Sequence, residues 1–140
     1  MSDMTRRDFI KGTTKMSAGA ALGLGVLSRS TAAWAGANDK IRAAVIGIRG
    51  RGQEHIQGLL AQENVEIVTL CDIDENLFDE RVKKFFEDKG LKKPKTETDL
   101  RKVFDDKAID IVSIATPNHG HSLATVWACQ AGKDVYVEKP

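Results

Sequence analysis

Short apolar runs alternate with longer amphipathic segments from about residue 41 to the end of the chain. The run that begins at Ile41 and the runs 65–71 and 109–115 are rich in β-branched and other apolar residues, which is typical of strands buried in a sheet. The alternation predicts two further strands, a short edge strand at 95–97 and a last strand at 134–137. Because strands that alternate with helices form right-handed crossovers, the sequence predicts an α/β fold with a parallel sheet.

The segments between these runs have apolar residues at helical spacing. Over residues 53–62, Ile56, Leu59 and Leu60 share one face, and His55 is expected on the solvated surface. Three more helices are predicted, over residues 75–89, around 100–104 and over 121–131. The 75–89 helix is expected to bury an aromatic stripe made of Phe78, Val82, Phe85 and Phe86. The 121–131 helix is expected to pack through Leu123, Val126 and Trp127, with alanines as small contacts.

The first strand breaks into a loop with three glycines, Gly47, Gly50 and Gly52, at the start of the first helix. Glycine lets loop amides approach an anion closely, and a helix N-terminus adds a partial charge of about +0.5. The dinucleotide fingerprint Gly-x-Gly-x-x-Gly, counted from Gly47, requires glycine where Arg49 stands. The loop therefore indicates a phosphate site, but only weakly when it is taken alone.

Asp72 ends the second predicted strand, twenty residues beyond Gly52. A carboxylate at this position can bind both hydroxyls of an NAD ribose, and it repels the 2′-phosphate of NADP, which favours NAD. Arg49 and Arg51 could offset that repulsion, so NADP stays possible. The same features also fit an α/β protein whose loop binds nothing and whose Asp72 caps the next helix, a role that Asp74 could equally take.

Four segments should meet at one edge of the sheet, because ligands of open parallel sheets bind at the carboxyl ends of the strands. They are the loop 47–52, Cys-Asp-Ile-Asp at 71–74, Ala-Thr-Pro-Asn-His-Gly-His at 115–121 and Val-Glu-Lys-Pro at 137–140. In this combination, residues 40–140 resemble the nucleotide-binding domain of the Gfo/Idh/MocA oxidoreductase family. The resemblance implies a Rossmann-like, doubly wound parallel sheet.

The resemblance also implies roles for single residues. The cofactor-binding loop would consist of Gly47, Ile48, Arg49, Gly50, Arg51 and Gly52, with residues 48–51 against the pyrophosphate, and Asp72 would hold the adenosine ribose. The nicotinamide ribose and ring would be lined by Thr116, Pro117, Asn118 and His121. Glu138 and Lys139 would face the ring and the substrate. Lys139 would be the catalytic lysine, which binds a substrate hydroxyl and assists its proton transfer, and its bond to Pro140 would be cis.

For the full-length protein, the resemblance implies hydride transfer between NAD or NADP and a sugar or polyol-type alcohol. Family members continue into a C-terminal α/β domain that supplies most of the substrate pocket and the oligomer surface. The chain is therefore expected to be a truncated domain, 36–140, that binds cofactor weakly and catalyses nothing, and the full-length protein is expected to form a homo-oligomer. Two alternatives are a glycosidase that oxidises its sugar transiently with bound NAD and a non-catalytic nucleotide-binding module.

Residues 1–35 resemble a twin-arginine signal peptide. The segment 5–11 matches the twin-arginine pattern, and the apolar segment 16–27 is shorter than the roughly 20 residues of a membrane span. Ala33-Trp34-Ala35 supplies a cleavage site. We therefore expect the twin-arginine translocase as a partner and a periplasmic or secreted location. A retained N-terminal anchor and a chance pair of arginines are the alternatives.

The 140-residue chain is 41% hydrophobic, which suffices for one core, and its formal charge of +1 favours neither nucleic acid nor an anionic membrane as a partner. The basic excess lies in the leader, which has five of the 21 basic residues and two of the 20 acidic ones. Cys71 and Cys129 have no second cysteine or histidine at metal-ligand spacing. Both are expected to be small buried hydrophobes, and no disulfide or metal site is predicted.

Overall fold

The computed structural model describes residues 40–140, so the predicted leader, 1–35, and the first residues of the predicted domain lie outside the described residues. Five strands form one sheet: β1 (Ile41–Ile46), β2 (Val65–Cys71), β3 (Lys95–Glu97), β4 (Ile111–Ile114) and β5 (Asp134–Val137). Their order across the sheet is β3-β2-β1-β4-β5, and every neighbouring pair is parallel. The predicted parallel α/β sheet is confirmed.

Four helices connect the strands: α1 (Gly52–Leu60), α2 (Asn76–Phe85), α3 (Leu100–Asp105) and α4 (Asn118–Gln130). A 3₁₀ turn (Glu87–Lys89) follows α2 and ends at Gly90, which adopts the left-handed conformation with φ of 65°. Asp99 caps α3, because its carboxylate accepts a hydrogen bond from the amide of Arg101 at 2.9 Å. Helix α4 begins three residues earlier than the pattern predicts.

Two separate apolar clusters lie on the two faces of the sheet. On one face, Val45, Ile67 and Leu70 of the strands pack against Ile56 of α1 and the aromatic stripe of α2, in which Phe78, Phe85 and Phe86 are buried and Val82 is partly buried. On the other face, the strands pack against α3 and α4, with Ala44, Ile46, Val103, Phe104, Val112, Ile114, Ala124 and Ala128 buried. Helices on both faces of a parallel sheet make the fold doubly wound and Rossmann-like.

The prediction for the packing of α4 is wrong for its large residues and confirmed for its alanines. Leu123 and Val126 are about half exposed and Trp127 is 37% exposed, whereas His121, Ala124 and Ala128 are buried. These three residues have the spacing i, i+3, i+7, and the two alanines allow the helix to approach the sheet closely. The larger residues therefore point away from the core. Cys129 lies one position past this face and is exposed, contrary to expectation, while Cys71 is buried as expected.

The strand ends at one edge of the sheet are level with one another. Ile46 of β1 pairs with Cys71 of β2 and with Ile114 of β4, and Ile114 pairs with Val137 of β5. The residues that follow these four positions are therefore brought to one edge. Among residues 40–140, no helix has the length and apolar character needed to cross a membrane.

Candidate nucleotide-binding site

The candidate site lies where the strand order reverses. The chain moves from β1 outward through β2 to β3 on one side, and then returns to place β4 and β5 on the other side of β1. The carboxyl ends of β1 and β4 therefore flank a crevice from which the two sets of connections diverge. Ligands of open α/β sheets bind in this crevice.

Two of the three loop glycines are required by close packing. Gly47 has φ of +83°, and a Cβ there would lie 2.7 Å from the carbonyl carbon and oxygen of Ala115 at the end of β4. A Cβ on Gly52 would lie 1.7 Å from the carbonyl oxygen of Gly47. Gly50 has open space around it, so the structure requires glycine at the first and third fingerprint positions and tolerates Arg49 at the second.

The loop between β1 and α1 contains consecutive amides that have no hydrogen-bond partner within residues 40–140. Among the described residues, the amides of Arg49, Gly50, Arg51 and Gly52 have no hydrogen-bond acceptor. The amides before them are engaged, because Gly47 donates to the carbonyl of Cys71 at 2.8 Å and Ile48 donates to Oδ2 of Asp72 at 2.8 Å. Free amides at the N-terminus of a nine-residue helix are a binding site for phosphate oxygens.

Asp72 lies directly after β2 and is half-buried at the edge of this loop. Its Oδ2 accepts from the amide of Ile48, and its Oδ1 accepts from the amide of Asp74 at 3.0 Å. The carboxylate therefore ties the ends of β1 and β2 together. Each carboxylate oxygen can accept more than one hydrogen bond, so Asp72 can still accept from ribose hydroxyls. The carboxylate that contacts the start of α2 belongs to Asp74 and not to Asp72. Oδ1 of Asp74 accepts a hydrogen bond from the amide of Asn76, the first residue of the helix, at 3.2 Å.

Arg49 is exposed and pairs with Asp74 through Nη2 and Oδ2 at 2.6 Å. Hydrogen bonds from Asn76, and after them the one from Arg49, hold the pKa of Asp74 below its ordinary value. The guanidinium thus lies beside the position where the adenosine ribose is predicted. Its side chain is exposed to solvent.

Glu138 joins the end of β5 to the phosphate loop. Its Oε1 accepts from Nε2 of His55 at 3.0 Å and from Nε of Arg51 at 3.1 Å. The hydrogen bond from His55, and then the one from Arg51, lower the pKa of Glu138. Arg51 also pairs with Glu54 in the first turn of α1.

The prediction that His55 lies on the solvated surface is wrong, because its imidazole is only 9% exposed. Its Nδ1 lies 2.7 Å from Oγ of Ser113 on β4, and its Nε2 bonds to Glu138. Tyr136 of β5 packs against the ring edge to face, with centroids 5.4 Å apart. Both ring nitrogens have partners, which offsets the cost of burying a polar group.

The start of α4 carries the second group of predicted cofactor residues. Pro117 precedes the helix, Asn118 is its first residue, and both are exposed. His121 is buried with Nε2 2.6 Å from the carbonyl oxygen of Thr116. Nδ1 of His121 and Oγ1 of Thr116 are buried and have no partner among the described residues. Buried polar atoms without partners are rare, so these two fit a place where a ligand supplies the missing hydrogen bonds.

Lys139 follows β5 at the same edge and is exposed. The predicted cis bond between Lys139 and Pro140 is not found, since the described backbone has no cis peptide bond. The trans form of an X–Pro bond is favoured by about 0.5–1 kcal/mol. Both residues are exposed, so no packing contact opposes that preference here.

Together these residues fit a dinucleotide. The loop amides that have no partner within residues 40–140, together with the two sterically required glycines, suit a pyrophosphate. A carboxylate one strand away suits a ribose. The buried polar atoms of Thr116 and His121, which have no partner among the described residues, lie across the crevice at the start of α4. The predicted site residues from all four segments are therefore at one edge, as the sequence indicates. Sequence reasoning did not find Ser113 or Arg81 of α2, which donates to loop carbonyls, and it placed His55 outside the site.

Three comparisons with known proteins agree with this geometry. A family model described as "Oxidoreductase family, NAD-binding Rossmann fold" matches residues 41–140. The chain is 35% identical, over an alignment 144 positions long, to a glycosyl hydrolase family 109 protein of Stenotrophomonas maltophilia, covering 99% of this chain and 30% of that protein. It is 32% identical, over an alignment 149 positions long, to an alpha-N-acetylgalactosaminidase of Tannerella forsythia, covering 91% of this chain and 31% of that protein.

Among solved structures, the fold superimposes on myo-inositol 2-dehydrogenase from Lactobacillus plantarum with a TM-score of 0.62 and 31% sequence identity. The match covers 73% of this chain and 28% of that one. The chain thus spans about 30% of the length of these relatives.

Proposed function

We propose that this chain holds NAD for hydride transfer to or from a carbohydrate-type alcohol, because it belongs to the Gfo/Idh/MocA oxidoreductase family, which has an NAD-binding Rossmann fold. The observation that carries the proposal is the row of free amides at residues 49–52, which faces the switch point of the sheet beside Asp72. Alcohol oxidation also fits the likeness to an inositol dehydrogenase.

Each part of the site would have a separate task. The amides of residues 49–52 would bind the pyrophosphate, and Asp72 would accept from the adenosine ribose hydroxyls. Thr116 and His121 would complete their unused hydrogen bonds on the nicotinamide side of the crevice. NAD, when bound, supplies a group that accepts or returns a hydride.

Lys139 would hold the substrate hydroxyl and take or return its proton. Its place after β5, next to Glu138, supports this role, because Glu138 is itself anchored by His55 and Arg51. We expect Lys139→Ala in the full-length gene product to lower kcat by about 10²–10⁴-fold, the usual contribution of a positioned acid or base, with a smaller effect on the Kd for NAD. Unchanged turnover would exclude a role in proton transfer.

Cofactor choice tests the ribose assignment of Asp72. Asp72→Asn removes the charge and keeps an oxygen for the amide of Ile48, but it loses the hydrogen bond from the amide of Asp74, so the fold of the variant is checked by circular dichroism. We expect NAD affinity to fall about tenfold, because a hydrogen bond to a charged group contributes about 1.5–3 kcal/mol, and we expect NADP to bind better relative to NAD. Titration calorimetry measures both, with Asp79→Asn on the exposed side of α2 as the control. An unchanged ratio of NAD to NADP affinity would remove the assignment.

A glycosidase is the second candidate, and the names of the Stenotrophomonas and Tannerella relatives favour it. In such a reaction the sugar is oxidised transiently, cleaved by elimination and then reduced, so no net NADH is formed. The full-length gene product can be assayed with N-acetylgalactosaminides and with inositols, following sugar release and absorbance of NADH separately. Release of sugar with no NADH accumulation would establish the glycosidase, and stoichiometric NADH formation would establish the dehydrogenase.

We also propose that residues 1–35 direct export by the twin-arginine translocase to the periplasm or beyond. The pattern Arg6-Arg7 followed by an apolar segment and Ala33-Trp34-Ala35 supports it. That pathway moves folded proteins, which suits a protein loaded with cofactor in the cytoplasm. Replacing Arg6 and Arg7 with lysine should keep the protein in the cytoplasm in cell fractionation. Export that continues in the double variant would contradict the proposal.

The full-length protein is further expected to form a homo-oligomer. This rests only on the family resemblance. Analytical ultracentrifugation of the full-length gene product tests it, and a monomer at micromolar concentration would contradict it.

A further inference from the structure

Arg81 is a buried arginine beneath the phosphate loop. It lies on α2, and the residue is only 6% exposed. Its Nε donates to the carbonyl oxygen of Ile48 at 3.0 Å, and its Nη2 makes a longer contact of 3.4 Å to the carbonyl oxygen of Arg49. Its Nη1 pairs with Glu80, whose side chain is 65% exposed. The guanidinium therefore connects α2 to two successive carbonyls of the loop.

These two carbonyls determine where two of the free amides point. Each peptide unit is planar and trans, so the carbonyl of Ile48 and the amide of Arg49 point in opposite directions within one rigid plane. The same holds for the carbonyl of Arg49 and the amide of Gly50. Because Arg81 holds both carbonyls toward α2, it turns both amides away from α2, where they have no acceptor among residues 40–140.

Other contacts also restrain this part of the loop, because the side chain of Ile48 is buried and its amide donates to Oδ2 of Asp72 at 2.8 Å. Among the described residues, the carbonyl of Ile48 accepts a hydrogen bond only from Arg81. Nε2 of Gln53 donates to the carbonyl of Arg49 at 2.7 Å, but Gln53 is only partly buried. Gly50 has open space on its side-chain position, so no packing contact restrains it. A planar, forked donor can hold two neighbouring acceptors at once, whereas a lysine ammonium is a point donor on a flexible stem.

We propose that Arg81 is a positioning residue for the pyrophosphate site, which acts by aiming the amides of Arg49 and Gly50 at the phosphate oxygens. The inference rests on the proposed function of the loop. It differs from a purely structural role, in which Arg81 would join α2 to the loop without affecting anion binding. Preorganised donors bind an anion more tightly because they do not lose conformational freedom when it arrives.

Variants at position 81 separate the two roles. Arg81→Met removes both donors, and Arg81→Lys keeps the charge without the forked geometry. We expect Arg81→Met, which loses both hydrogen bonds to the loop, to weaken NAD binding about tenfold, and Arg81→Lys, which can keep one of them, to weaken it about threefold. Affinities are measured by titration calorimetry on the 140-residue chain, well below the melting temperature of each variant. Lys83→Met removes a charge from the exposed side of α2 and should leave NAD affinity unchanged.

A measurement on the unaltered chain covers the case in which both variants fail to fold. In a proton–nitrogen NMR spectrum, the Nε–H signal of Arg81 should shift on titration with inorganic pyrophosphate, together with the amides of Arg49 and Gly50. An Arg81 signal that stays fixed while those amides shift would overturn the inference, as would Arg81 variants that bind NAD like the unaltered chain. If the unaltered chain binds neither NAD nor pyrophosphate, the proposed function itself fails, and the inference fails with it.

Discussion

Glu138 shows how a single side chain can connect two parts of the site. Its carboxylate accepts from Arg51 in the phosphate loop and from His55 on α1, although it lies just after β5. His55 in turn reaches Ser113 on β4. One series of hydrogen bonds therefore connects the end of β5, the start of α1 and β4. Lys139 is the residue that follows Glu138. The proposed catalytic lysine therefore directly follows a side chain that is held by Arg51 and His55.

The acid sensitivity of the fold tests this interaction. The pKa of Glu138 is lower in the folded chain than its ordinary value of 4.5, so Glu138 stabilises the fold above about that pH. As the pH falls below it, the unfolded chain takes up the proton more readily, and the contribution is lost as the pH passes through the folded pKa. Between pH 5 and pH 3, the melting temperature of Glu138→Gln should therefore fall by less than that of the unaltered chain.

The matched control for this experiment is Glu63→Gln, at an exposed position before β2. Other carboxyls with lowered pKa, including Asp99 at about 2, keep the overall acid sensitivity in both variants. The quantity to compare is therefore the slope of melting temperature against pH, for Glu138→Gln and for Glu63→Gln, each relative to the unaltered chain. Equal slopes for Glu138→Gln and the unaltered chain would show that the bonds to His55 and Arg51 contribute nothing to stability.

The two cysteines should differ sharply in reactivity. Burial, followed by the nearby charges of Glu97, Asp72 and Asp99, raises the pKa of Cys71 to about 12, and Cys129 is exposed on α4. Because the thiolate is the reactive form, an aromatic disulfide reagent should modify only Cys129 in the folded chain. Cys129→Ala should abolish this reaction until the chain is unfolded. Rapid modification of the folded Cys129→Ala variant would contradict the placement of Cys71.

At the residue scale, the sequence identified the residues whose role depends on backbone position. Gly47, Gly52 and Asp72 could be predicted because a strand followed by a turn leaves a recognisable pattern. The roles of His55 and Arg81 could not be predicted, because polar helix residues are normally solvated and hydropathy does not reveal a hydrogen-bond partner that is distant in sequence. Their partners, Glu138 and the carbonyl of Ile48, are 83 and 33 positions away in the chain.

At the scale of elements, the loop between β1 and α1 carries the tightest steric requirements. Gly47 closes against the end of β4, and Gly52 closes against Gly47 itself. The first turn of α1 is therefore fixed directly behind the turn that ends β1. This close approach places the helix N-terminus, with its unpaired amides, over the crevice between β1 and β4.

Alanine substitutions at the three loop glycines should have unequal effects. Gly52→Ala places a Cβ 1.7 Å from a backbone oxygen, and Gly47→Ala adds both a clash and a left-handed φ, so each should lower the free energy of unfolding by about 1–3 kcal/mol. Gly50→Ala should change it by less than about 0.5 kcal/mol. Urea unfolding measures all three. A large loss at Gly50, or none at Gly52, would contradict the described loop.

The sequence predicted the elements well wherever burial and apolar character coincide. Four of the five strands coincide with β-branched or apolar runs, and β3 was predicted only because the alternation of strands and helices required it. The prediction for α4 was right about its alanines and wrong about Leu123, Val126 and Trp127, because it treated size as a sign of burial. In that helix Ala124 and Ala128 form the contact with the sheet, and Trp127 lies on the open side, since close packing of a helix on a sheet favours small residues.

At the scale of the whole molecule, the doubly wound order of the strands creates the site. The four functional segments are far apart in the chain, and only the β3-β2-β1-β4-β5 order brings them to one edge. The sequence could predict the parallel sheet and its binding edge from the alternation of elements. It could not predict the substrate, because the chain spans only about 30% of the length of its relatives.

In the proposed function, the loop amides and Asp72 together bind a nicotinamide dinucleotide. Titration calorimetry of NAD into the folded 140-residue chain tests it most directly, with circular dichroism to establish that the chain is folded. We expect saturable binding of one NAD per chain, weaker in Asp72→Asn and in Arg81→Met. A folded chain that shows no affinity for NAD or NADP would contradict the account.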